Sequence, residues 1–132
     1  MAGSVIDTKV ESHDESFGLT RLSFPGGHLY VPLLDSPKGA TQRTHILARN
    51  VGIALNKPQE TTSVINILPA KVMEVAVPEI SSHSVQIKLD VGVPMLASIS
   101  RMSLHKLRLE PGQSCYALIK AVSLGGRDVG LS

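Results

Sequence analysis

The chain has 132 residues, of which 42% are hydrophobic, and a net charge of +2 from 13 basic and 11 acidic residues scattered along it. That length fits one domain, or two very small ones sharing a core, and the composition is that of a folded chain and not a disordered one. The charge is too small and dispersed for a nucleic-acid footprint, and no stretch approaches the roughly twenty apolar residues of a membrane span.

Period-two alternation dominates. It predicts a strand over 5–10, closed by the polar run 11–16. Strands over 19–24 and 28–34 form a hairpin around Pro25, Gly26 and Gly27, because glycine supplies the positive φ of a tight turn. A turn at 35–39 leads to a strand over 42–48 and a short apolar piece at 51–55. Residues 56–60 are polar and carry Pro58, which marks them as a linker.

The second half repeats the plan. A long strand runs over 66–77, with Pro69 implying an edge or a bulge near its start. A hairpin over 83–91 and 95–100 turns at Gly92. Met102, Leu104, Leu107 and Leu109 fit one or two turns of helix over 102–109, which Pro111 and Gly112 stop. A closing strand over 116–124 follows, and the glycine-bearing tail 125–132 is expected to fray. Gly39 precedes Ile46 and Ala48 at the spacing by which Gly112 precedes Ile119 and Ala121, a weak internal repeat. The fold class is therefore all-β, built from small OB-like barrels with at most one short helix. Residues 1–57 form an N-terminal β subdomain and residues 62–132 a second barrel.

The single cysteine, Cys115, excludes an intrachain disulfide and reads as a buried structural thiol compatible with a reducing cytoplasm. No signal peptide is visible at the start. His13, His28, His45, His83 and His105 have no ligand spacing, so no metal site is expected. A phosphate loop of the Gly-X4-Gly-Lys type is absent, as is any supported nucleophile–base set, so this chain is not expected to hydrolyse ATP or to be an enzyme.

The chemistry lies at two strand ends. Ser63 and Asn66 open a strand with a hydroxyl and an amide, and Lys120 stands where an apolar run stops. Hydroxyls, free backbone N–H groups and one ammonium suit an oxyanion without directing covalent chemistry. Each residue also has a plainer use. Ser63 starts a strand, Asn66 caps a turn, Lys120 snorkels to solvent, and Ser100 and Ser103 cap the short helix.

In order and spacing, 62–124 resembles the TOBE/Mop-type domains. With 17–22, 25–32 and 46–51 before it, nearly the whole chain resembles the C-terminal regulatory region of the ATP-binding subunit of a molybdate importer. The resemblance implies an oxyanion, molybdate or tungstate, held between subunits, and no other cofactor. Ser63, Asn66, Lys120 and Ala121 would come from one subunit, with Ser100 and Ser103 from the other. It implies a homodimer, cytoplasmic and peripheral to the inner membrane, whose parent contacts a membrane-embedded molybdate permease, with no nucleic acid and no direct membrane insertion. Many family members have arginine where Ile65 stands and serine where Val122 stands. Two other functions compete. One is a structural interaction module of a transporter ATPase that binds no ligand. The other is an OB-type oligonucleotide or oligosaccharide binder, which an aromatic content of 3% disfavours.

Overall fold

Alternating burial produces eleven strands and one short helix in the computed structural model, which describes residues 2–58, 62–77 and 83–124 and the backbone of 127–128. The first half contains β1 (Gly3–Asp14), β2 (Leu19–Phe24), β3 (Gly27–Pro32) and β4 (Thr41–Leu47). A 3-10 turn, Ala48–Asn50, leads to β5 (Val51–Ala54). The second half contains β6 (Asn66–Val75), β7 (Ser84–Asp90), β8 (Pro94–Ser100), α1 (Arg101–Leu107) and β9 (Ser114–Ile119). Two short strands, β10 (Ser123–Leu124) and β11 (Arg127–Asp128), follow.

The strands form two antiparallel sheets with the same internal order. One runs β11-β10-β4-β1-β2-β3 and the other β5-β9-β6-β7-β8. Strand β5 of the first half therefore completes the second sheet beside β9, and β10 of the second half completes the first beside β4. The registers match too. Val10 faces Leu22 and Val72 faces Leu89, and a bulge follows each valine. Gly39 N–H donates to the Val10 carbonyl and Gly112 N–H to the Val72 carbonyl, both at 2.8 Å. The repeat marked by Gly39 and Gly112 is thus a repeat of structure.

Three contacts hold the halves together across this approximate two-fold. Asn66 Nδ2–H donates to the Tyr30 carbonyl (2.9 Å) while its Oδ1 accepts from Tyr30 N–H (2.7 Å). At the matching place Ser4 Oγ accepts from Leu96 N–H at 2.9 Å. The two hairpin turns meet at Gly26 and Gly92, so closely that a methyl on Gly92 would lie 2.4 Å from Gly26 Cα. Between the sheets a single apolar cluster draws on both halves, with Leu22, Leu29, Ile46, Ile87, Leu89 and Met95 fully buried. Each such side chain stabilises the fold by about 1.5–3 kcal/mol relative to exposure. Cys115 lies in this core, where burial pushes its thiol pKa up.

Several expected boundaries shift. The polar run after residue 10 does not end the first strand, because the bulge re-registers Ser12, His13 and Asp14 onto β2. The closing strand expected over 116–124 is two strands in different sheets, separated at residues 120–122. Within the tail expected to fray, residues 127–128 pair with β10, and the remainder lies outside the described residues. Pro69 does sit where β6 pairs on one side only, with β9, but the bulge is further on, between Val72 and Glu74. The helix stops at Leu107 because Arg108 turns left-handed (φ 52°), leaving Leu109 to pack in the core. No helix among the described residues is long and apolar enough to cross a membrane.

Candidate functional site

Where β3 of the first half meets the start of β6 and the end of β9, the two halves leave an open cleft of about 510 Å³. Ser63, Asn66, Lys120 and Ala121 all line it, so four of the six residues singled out from sequence converge in one place. The opposite wall is apolar and comes from the first half: Leu19, Tyr30, Val31 and Pro32. Nothing in the sequence pointed to that wall, because its position depends on the pairing of Tyr30 with Asn66, 36 residues away.

The four residues are not equivalent. Lys120 is exposed at the end of β9, with its backbone N–H donating to the Asn50 carbonyl at 2.8 Å. No carboxylate of the described residues forms an ion pair with it. Ser63 is exposed in the segment leading into β6, where Val64 N–H donates to Thr62 Oγ1 at 3.1 Å. Asn66, in contrast, is 7% exposed, and both ends of its amide are committed to the Tyr30 backbone. It acts as a strand rung, with only its second N–H left for a ligand. Asn66→Ala is accordingly expected to cost about 2 kcal/mol, since it orphans a buried N–H and C=O together. Denaturant unfolding of the variant measures this.

Ile65 lines the cleft at 56% exposure, in the position where an arginine is expected from the resemblance. Val122 also lines it but is buried, its side chain packing into the shared core as the chain crosses to β10. A hydroxyl there would need a buried partner.

Ser100 and Ser103 are not part of this lining. They cap α1, with Ser103 N–H donating to Ser100 Oγ (3.0 Å) and the Ser100 hydroxyl donating to Ser103 Oγ (2.9 Å). One chain therefore does not bring all six together. The histidines have structural uses where they are paired. His13 bridges Thr20 Oγ1 and the Ser36 carbonyl, each at 2.8 Å, and His28 contacts Glu11 and Arg21. Among the described residues there is no cluster of His, Cys, Asp and Glu able to hold a metal ion.

The TOBE domain family matches residues 62–124. The molybdenum import ATP-binding protein ModC of Aromatoleum aromaticum is 40% identical over 121 residues, covering 91% of this chain and 31% of that protein. ModC 1 of Azotobacter vinelandii is 40% identical over 126 residues, covering 95% of this chain and 34% of that protein. The chain thus spans about a third of the length of the curated relatives it matches. Its fold is that of the cytoplasmic molybdate-binding protein ModG, crystallised with molybdate bound, at a TM-score of 0.75 and 22% identity. That likeness covers 92% of this chain and 94% of the other. Residues 62–124 match the TOBE domain family, in a chain similar over more than nine-tenths of its length to ATP-binding proteins of molybdenum import.

Proposed function

We propose that this chain is the regulatory and dimerising region of a molybdate or tungstate importer's ATP-binding subunit, where it senses cytoplasmic oxyanion. The observation that carries this reading is the convergence of Ser63, Lys120 and Ala121 on one open cleft, with an exposed lysine at its edge. A fixed ammonium and hydroxyl attract a tetrahedral dianion without activating it, so the region binds and does not catalyse. Within the parent protein it lies at the cytoplasmic side of the inner membrane, and the parent contacts a membrane-embedded permease. Coupling to transport requires only that the anion prefer one arrangement of paired regions over another. Thermal unfolding in the presence of molybdate tests the reading, with sulfate expected to stabilise less because fixed donors discriminate by anion size.

A homodimer supplies the second set of hydroxyls, with Ser100 and Ser103 of one copy approaching the cleft of the other. Light scattering at high micromolar concentration is expected to report twice the chain mass, and monomer alone would count against this assembly.

A second reading, a structural module without ligand, is favoured by two observations. Ile65 places an alkyl group where a cation is expected, and the Asn66 amide is already spent on Tyr30. Absence of any thermal shift with molybdate or tungstate in a folded dimer would establish this reading instead.

A further inference from the structure

The approximate two-fold relates the cleft to a counterpart elsewhere in the chain, and the two have diverged. In the first half Ser4 faces Ile46 as Asn66 faces Ile119 in the second. Leu47 therefore stands where Lys120 stands, Gly3 where Ile65 stands, and Ala48 where Ala121 stands. From these residues and their surroundings we infer that the duplicated fold keeps a single oxyanion cleft per chain, and that the counterpart has become a wedge supporting Lys120.

Three observations carry this inference. The counterpart has lost its ammonium, since an oxyanion placed there would meet the partly buried Leu47 alkyl group. Its polar residue is also directed to the neighbouring strand β8, with Ser4 Oγ accepting from Leu96 N–H. Finally, its space is filled. Ala121 is followed directly by the buried Val122, whereas Arg49 and Asn50 intervene between Ala48 and the buried Val51. These two extra residues make the 3-10 turn, which packs against β8 and β1 with Ala48 only 2% exposed. The turn ends on the Asn50 carbonyl, which accepts the Lys120 N–H at 2.8 Å. The wedge in one half thus fixes the backbone of the charged residue in the other. Its own cation, Arg49, is exposed on the outside of the turn.

The inference rests on the oxyanion reading above, and isothermal titration calorimetry with sodium molybdate separates the two. One molybdate per chain is expected, with binding weakened about a hundredfold or more in Lys120→Met, while Arg49→Met keeps the ratio and the affinity of the parent chain. Lys120 is exposed, so its replacement leaves the fold intact for the measurement. A ratio of two, or residual binding in Lys120→Met that Arg49→Met abolishes, overturns the single-cleft inference and leaves the oxyanion reading standing. No heat with any of the three proteins overturns the oxyanion reading, and the single cleft with it.

Discussion

Gly26→Ala is expected to remove a large share of the chain's stability. The added methyl would lie 1.6 Å from the Val91 carbonyl oxygen and 2.7 Å from Phe24 Cε2, well inside contact distance. The obstacle is backbone from the other half and cannot rotate away, so the two hairpin turns must separate. Separation opens the shared core between the sheets, at a cost of about 4 kcal/mol or more, a large share of the roughly 5–15 kcal/mol that holds such domains folded. Gly92→Ala should behave alike, since its methyl would meet Gly26 Cα and its φ of +99° is itself unfavourable for alanine. Gly39→Ala is the control. Its φ is +90° but nothing lies within 4 Å of the added carbon, so only backbone strain of about 1–2 kcal/mol is expected. Chemical denaturation of the three variants distinguishes crowding from strain. A Gly26→Ala protein within about 1 kcal/mol of the parent would show that the turns are not in contact.

Lys120→Met should abolish the stabilisation that molybdate confers while leaving the unliganded fold unchanged. The parent chain is expected to gain about 4 °C or more in unfolding midpoint at saturating molybdate, as follows for a ligand well above its dissociation constant. Among the described residues the lysine contributes the only cation in the cleft lining, and methionine keeps the length of the stem but removes the charge. Since the side chain is exposed, stability without ligand should move by less than about 0.5 kcal/mol. Differential scanning fluorimetry of the two proteins with and without molybdate is sufficient. An undiminished shift in the variant would place the anion elsewhere.

Much of the architecture is legible in local pattern. Alternation located β2 over 19–24, and the glycines at 26, 27 and 92 located both hairpin turns. The exchange of strands was less visible but did leave a trace. Inward-facing residues occupy odd positions through Cys115, Ala117 and Ile119, then even positions at Val122 and Leu124. The same phase change, in the other sense, separates Thr44, Ile46 and Ala48 from Val51. A strand cannot change phase without a break or a bulge, so an interruption of the closing strand was written in its own alternation.

The site divides in the same way. Ser63, Lys120 and Ala121 were identified by motif, and the structure places them together in one cleft. The role of Asn66 in tying β3 to β6 was not legible, because a side chain replacing a strand rung looks from sequence like any polar residue at a strand start. The wall of Leu19, Tyr30, Val31 and Pro32 depends on long-range docking of two halves, which no local pattern encodes.

The lending of β5 and β10 between halves has a consequence for how the chain must be handled. Each half has an acceptor edge that is satisfied only by a strand from elsewhere, and nothing in the chemistry of that edge specifies that the donor come from the same molecule. Residues 55–65, which join β5 to β6, act as a tether that keeps the proper donor at high effective concentration. Shortening that tether, or refolding at high protein concentration, hands the competition to neighbouring chains, and the same hydrogen bonds then close rings or run on into open polymers.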